Sequence, residues 1–198
     1  NGCMLKSVFS TATFKQSQIT IVGTLINGAL GALFYIVLAR FLGPSDFGLL
    51  TIALVTLVLI ADVADIGTNT GLIRFVSSNL SFDREKAYRF LKLSLEIKLM
   101  SWGIVFLIVY LLAPFLATEV FHKAELVLAF RLVAFGTGGA LLFTFATSAL
   151  QAYQKYFTWS VINILTNSLR LLLIVILGYY LILNLENSLL IYTILPFF

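Results

Sequence analysis

Two arginines fall within stretches that are otherwise apolar enough to cross a membrane, and the chain's chemistry is most readable around them. Arg170 lies near the middle of the apolar run 157–183, ~20 Å from either helix end by helical rise. An arginine at that depth costs at least ~2.5 kcal/mol on insertion scales. It must therefore face protein or a water-filled cavity. Ser160, Asn163, Asn167 and Arg170 follow one another at +3, +4 and +3, which places them in one stripe of a helix. The stripe reads in two ways. It is a polar seam hydrogen-bonded to other helices, or the wall of a wet cavity that binds an anionic or polyhydroxyl ligand. Arginine suits phosphate because its planar fork can bind two oxygens at once. Arg131 lies ~10 Å inside the outer end of its own run. It either reaches outward to pair with Glu119 or Glu125, or supplies a second cavity cation. Thr20, Thr24, Asn27, Gly31 and Tyr35 form a similar stripe in the first apolar run. Close packing through Gly and Thr explains much of it; the cavity-lining alternative has Asn27 as its contact.

Acids are the second group. Asp62, Asp65 and Asn69 share a helix face at +3 and +4. An intramembrane acid pair can bind a proton or a sodium ion. These acids fall near the inner end of their run, so a structural salt bridge to Arg74 or a loop cation, or a helix cap, competes with ion coupling. His122, the one histidine, stands in a loop beside Glu119 and Lys123 without a second His or Cys, so no metal site is expected. The single Cys excludes a disulfide framework and a thiolate zinc site. The sequence holds no nucleophile–base constellation, P-loop or GxGxxG. The polar connections are too short to house catalysis. The expectation is a protein that is not an enzyme and carries no cofactor, apart from coupling to a proton or sodium gradient.

The elements that must position these residues follow from composition. Of 198 residues, 60% are hydrophobic and 11% charged, with a mean hydropathy of +1.02. Soluble domains run at about 45–50% apolar and about 25% charged. An ordinary soluble enzyme and a disordered chain are excluded, and the net charge of +4 is too thinly spread to suggest nucleic acid. An all-α, polytopic membrane helix bundle is expected. A crossing needs about 20 mostly apolar residues. Five such spans are read at about 17–39, 47–61, 97–116, 126–149 and 157–183. Gly43-Pro44 closes the first. The stretch 47–79 is too long for one crossing, which predicts a bend near Gly67 or an extension into the cytoplasm. The GTGG sequence at 136–139 reads as a bend, where glycine permits either close packing or a hinge. A turn is read at 184–188, and a sixth helix starts at 189. Its ten residues cover ~15 Å of a hydrocarbon core ~30 Å thick, so the sequence is expected to be truncated there. The organisation expected is an N-terminal cytoplasmic segment 1–16, a five-helix body 17–184, and a turn with the start of a sixth helix at 185–198.

The positive-inside rule orients the bundle. With the N-terminus cytoplasmic, the inner side holds Lys6, Lys15, Arg74, Arg84, Lys86, Arg89, Lys92, Lys98 and Lys155, against Arg40 and Lys123 outside.

Three stretches carry a resemblance. ARFLGPSDFGLL (39–50) resembles the A-R-x-L-G-P-x-x-F-G signature of polysaccharide biosynthesis transport proteins, the group of O-antigen, teichoic-acid and exopolysaccharide flippases. ADVADIGTNTGLIRFVS (61–77) and ALQAYQKYFTWSVINIL (149–165) resemble the same family more softly. The family belongs to the multidrug/oligosaccharidyl-lipid/polysaccharide exporter superfamily. The resemblance implies one lobe, the N-terminal one, of a two-lobed MATE-like transporter. The lobes enclose a central cavity that opens alternately to each membrane face. The implied cargo is a sugar chain on a polyprenyl pyrophosphate, and Arg170 and Arg131 become the natural cavity cations. Implied partners are that lipid-linked oligosaccharide, membrane lipids, the missing C-terminal lobe, and glycosyltransferases or a polymerase of the same pathway. The implied location is the cell inner or plasma membrane. A drug or ion antiporter, a lipid II flippase and a non-transporting assembly subunit are the rival readings.

Overall fold

The structure, a computed structural model, describes residues 12–80, 82–180 and 183–197, with side chains from residue 17 onward. Residues 1–11 of the expected N-terminal segment, Lys6 among them, lie outside the described residues, as does the Lys15 side chain. The described residues are all helix and short turns.

Helix α1 (Ala12–Asp65) runs for 54 residues but is two arms, because Gly43 leaves helical geometry at φ 73°, ψ 173°. Only glycine holds that φ without steric cost. Pro44 then opens the second arm, where its missing N–H matters least. At ~1.5 Å per residue the second arm, 44–65, spans a hydrocarbon core by itself. The bend expected near Gly67 is present. Ile66 (φ 50°) and Gly67 (φ 72°) turn the chain from α1 into α2 (Thr68–Asn79). Asp83 caps α3 (Arg84–Phe115) by accepting from the Lys86 N–H at 3.0 Å. Near its far end α3 contains Pro114, which offers no N–H to the preceding turn. The chain then widens into one π turn, Leu116–Val120. Helices α4 (Leu126–Ala152) and α5 (Tyr156–Tyr179) follow, then α6 (Leu185–Ile194) with a 3₁₀ turn, Leu195–Phe197.

Three expectations change. Among the described residues four continuous helices are long and apolar enough to cross a membrane, and the second of the five spans expected, 47–61, is the second arm of α1. Helix α5 ends at Tyr179 rather than 183, and the stretch read as a turn at 184–188 is already helical from Leu185. Asn184 precedes that helix in extended geometry, so the chain turns before it, not within it. The GTGG stretch is not a bend, since α4 runs unbroken through it. Its glycines serve close packing. A Cβ on Gly138 would collide with the Trp102 indole of α3, and one on Gly136 with the Thr193 side chain of α6.

Helix α4 is the axis of the bundle. Phe130, Val133, Ala134 and Leu141 are fully buried in it, and Phe130 and Val133 join one core cluster with Leu38, Leu50, Ala53 and Leu54 of α1, Ile174 of α5 and Leu189 of α6. A smaller cluster at the opposite end joins Leu72 and Val76 of α2 to Ala87 of α3 and Ala152 of α4. Many large apolar side chains face outward, Val63, Leu25 and Leu165 among them. Hydrocarbon is as apolar as leucine, so that surface costs nothing in a bilayer. Hydroxyls are closed locally in the same spirit. Thr56, Thr137, Thr166 and Thr193 donate to carbonyls one turn back at 2.7–2.9 Å, which leaves no free donor for lipid to meet.

Candidate functional site

The second arm of α1, with α4, α5 and α6, lines a half-open cavity of about 230 Å³. Each helix contributes by its periodicity. Ala61 and Asp62 come from α1, Phe143 and Thr144 from α4, and Asn163, Thr166, Asn167 and Arg170 from α5. Tyr192 of α6 and Pro196 just beyond it complete the wall. The polar stripe read on the fifth span therefore does line a cavity, except for Ser160. That side chain is buried against Gly23 of α1 in a separate, apolar recess, where its Oγ has no hydrogen-bond partner.

Arg170 is half-buried. Its Nε is fully buried and unpartnered, and its guanidinium carbon lies 4.2 Å from the centroid of the Tyr192 ring, over the face. The ion pairs among the described residues are Lys86–Asp83, Arg89–Glu85, Lys92–Glu96 and Lys98–Asp65, so no carboxylate holds Arg170. Asn167 donates from Nδ2 to the Asn27 Oδ1 at 3.1 Å. Asn27 thus stands behind the wall and fixes it, tying α5 to the first arm of α1. Asn163 closes its amide locally on the Trp159 carbonyl at 2.8 Å, leaving its Oδ1 as the free end.

The other site residues are elsewhere. Arg131 does not share this cavity. It is exposed, lines a separate recess with Asp46, Glu125 and Glu186, and rests over Tyr110 at 5.1 Å. The two acids also part company. Asp62 faces the cavity, while Asp65 is half-buried and pairs with Lys98 of α3. Asp65 also accepts from the Thr68 hydroxyl at 2.9 Å and the Asn69 N–H at 3.3 Å. Its cation is Lys98, only 1% exposed, rather than Arg74, which points outward. The same junction is closed by Ser101, whose hydroxyl donates to the Ala64 carbonyl at 2.6 Å.

Thr144, Thr166 and Tyr192 belong to the cavity but were not singled out from sequence. Thr166 falls one residue off the α5 stripe, and the Gly-rich run on α4 reads as a bend and carries no polar mark. Tyr192 sits in a short apolar helix with no periodic polar mark. Among the described residues no group of three His, Cys, Asp or Glu side chains could hold a metal. Chemically the cavity offers one uncommitted planar cation, amide and hydroxyl groups around it, and a carboxylate on another wall.

Fold and site together define an all-α membrane helix bundle with a polar, cation-bearing cavity inside it. The profile of the polysaccharide biosynthesis protein family matches residues 14–197. The chain belongs to that family, and its role lies in polysaccharide synthesis or export. Neither a curated protein nor a solved structure matches it.

Proposed function

We propose that the chain takes part in moving a polyprenyl-pyrophosphate-linked oligosaccharide across the membrane, by alternating access through a cavity of which Arg170 is the anion-binding group. A pyrophosphate cannot cross hydrocarbon unaided, because burying unpaired charge is prohibitive. A cavity with arginine, asparagine and threonine replaces the lost hydration, while the lipid tail stays among the helices. The observation that carries this reading is the guanidinium of Arg170, held inside an apolar bundle without a carboxylate partner. A buried cation with no counter-ion is costly to keep, and an anionic cargo explains its presence. Family membership supplies the sugar pathway.

In this reading the chain is a transporter lobe and not an enzyme. A second lobe, implied by the resemblance, completes the pathway, and rocking of the two changes access. The N-terminus faces the cytoplasm, the membrane is the inner or plasma membrane, and enzymes of the same sugar pathway deliver the cargo. Asp62, on the same cavity as Arg170, is the group placed to couple transport to a proton or sodium gradient. Asp65 is already taken up by Lys98 and suits a structural role.

The test is Arg170→Ala in cells that make the complete protein. Surface polysaccharide should be lost and lipid-linked sugar should accumulate on the inner leaflet, at unchanged protein level. Normal export at normal level would remove Arg170 from the mechanism. An antiporter would instead depend on Asp62 with Arg170 dispensable, and a non-transporting assembly subunit would show no transport by the parent itself in a reconstituted assay.

A further inference from the structure

An uncompensated arginine in an apolar bundle needs something to hold it, and what holds Arg170 is an aromatic face. Its guanidinium carbon lies 4.2 Å above the Tyr192 ring. Tyr192 is itself packed against Phe34 of α1, with centroids 6.0 Å apart. The ring is thus pinned between the first arm of α1 and the cavity. Thr193, the next residue, is buried, sits against Gly136 and closes its hydroxyl on the Leu189 carbonyl at 2.9 Å, so α6 is fixed to α4 at this point. The support of the ring is therefore rigid packing on two sides.

The choice of an aromatic rather than an acid has a chemical consequence. A carboxylate would take two of the in-plane N–H bonds of the fork, the same bonds a phosphate needs. An incoming phosphate would have to displace it. A ring attracts the charge through its face and takes no N–H···O bond. The Arg170 Nε is buried and without a partner. The one acid on the cavity wall, Asp62, is held off beyond ion-pair distance.

We infer that Tyr192 is a positioning residue for anion binding. Its ring face offsets the charge of Arg170 and orients the guanidinium so that no acid competes with the oxygens of a phosphoryl group for its donors. The inference rests on the function proposed above and adds what keeps the fork available. It makes the ring, not the hydroxyl, the working part of Tyr192. Without the face the fork loses its fixed orientation, and phosphoryl binding should weaken by about tenfold.

The experiment measures binding of farnesyl pyrophosphate to the purified complete protein, with farnesol as the uncharged control and melting temperature recorded for every variant. Tyr192→Phe and Tyr192→Trp, which keep a ring face, should bind within about twofold of the parent. Tyr192→Leu, which keeps bulk without the face, should lose about tenfold for farnesyl pyrophosphate and nothing for farnesol. If Tyr192→Leu does not fold, the Phe and Trp variants still decide. A tenfold loss in Tyr192→Phe would mean that the hydroxyl does the work and would overturn the inference. Unchanged pyrophosphate affinity in a folded Tyr192→Leu would also overturn it, while Arg170→Ala losing both binding and export would leave the transport reading intact. Normal export by Arg170→Ala, with no farnesyl pyrophosphate bound by the parent, would instead remove the transport reading itself.

Discussion

The bundle buries two cations and treats them in opposite ways. Lys98 is 1% exposed and sealed: Asp65 takes its ammonium, Thr68 and the Asn69 N–H fill the remaining carboxylate positions, and the Ser101–Ala64 bond closes the junction. Arg170 is half-buried and open: a ring face balances its charge, its Nε has no partner, and a cavity lies in front of it. A buried pair with satisfied neighbours makes structure. A buried cation whose donors are left free makes a receptor. The difference separates the two cations by use, though both sit on apolar helices of the same chain.

The comparison can be broken by removing each cation in turn. Lys98→Met leaves the half-buried Asp65 without its partner, and breaking a fully buried pair costs about 3–5 kcal/mol, the upper bound here. Thermal denaturation of the purified protein should show a large drop in stability, and the protein level in cells should fall. Adding Asp65→Asn to Lys98→Met should restore most of it. A stable single variant would mean that the pair is not structural. Arg170→Leu should behave in the reverse way, with stability held or raised, since a central arginine costs at least ~2.5 kcal/mol on insertion scales.

Packing supplies a smaller effect. Gly138→Ala places a methyl against the Trp102 indole, and overpacking of this kind costs about 1–3 kcal/mol. A loss of stability that Trp102→Leu relieves would confirm α4 as a packing axis rather than a hinge. An unchanged melting temperature would argue for movement there. Smaller still is the amide bridge behind the cavity wall. Asn27→Ala removes one interhelical hydrogen bond, worth about 0.6–1.7 kcal/mol in membrane bundles. Its effect on anion binding should be far below that of Arg170→Ala.

The smallest effect expected lies outside the membrane, at Asp83. The Lys86 backbone N–H, followed by its side chain, holds the Asp83 carboxyl below its ordinary range. A depressed folded-state value contributes stability above the unfolded carboxylate pKa, and that contribution fades as pH falls through the lowered value. Asp83→Ala should therefore be slightly less stable than the parent at neutral pH, and the gap should close in acid. A gap that persists in acid would show that the charged cap is not its cause.

Much of this was legible in the sequence because it is local. Hydropathy gave the crossings, Gly43-Pro44 the break between the arms of α1, and Gly67 the bend into α2. The +3, +4, +3 stripe put Asn163, Asn167 and Arg170 on one face, and that face lines the cavity. Periodicity names a face but not its neighbour, and the failures share that cause. Asp62 and Asp65 looked equivalent at three residues' spacing, yet one faces a cavity and the other meets Lys98, 33 residues away. Arg131 read either as a second cavity cation or as a side chain reaching toward Glu119 or Glu125, and it lies in a separate recess that Glu125 also lines. Tyr192 carried no mark at all, because its part depends on where α6 packs.

The central claim is that Arg170 is held open for an anion that must cross. Its most direct test is flipping of a polyprenyl-pyrophosphate-linked sugar by the complete protein reconstituted in vesicles, comparing the parent with Arg170→Leu. The account predicts a variant that is as stable as the parent and does not flip the lipid. A folded Arg170→Leu that flips at the parental rate would contradict it.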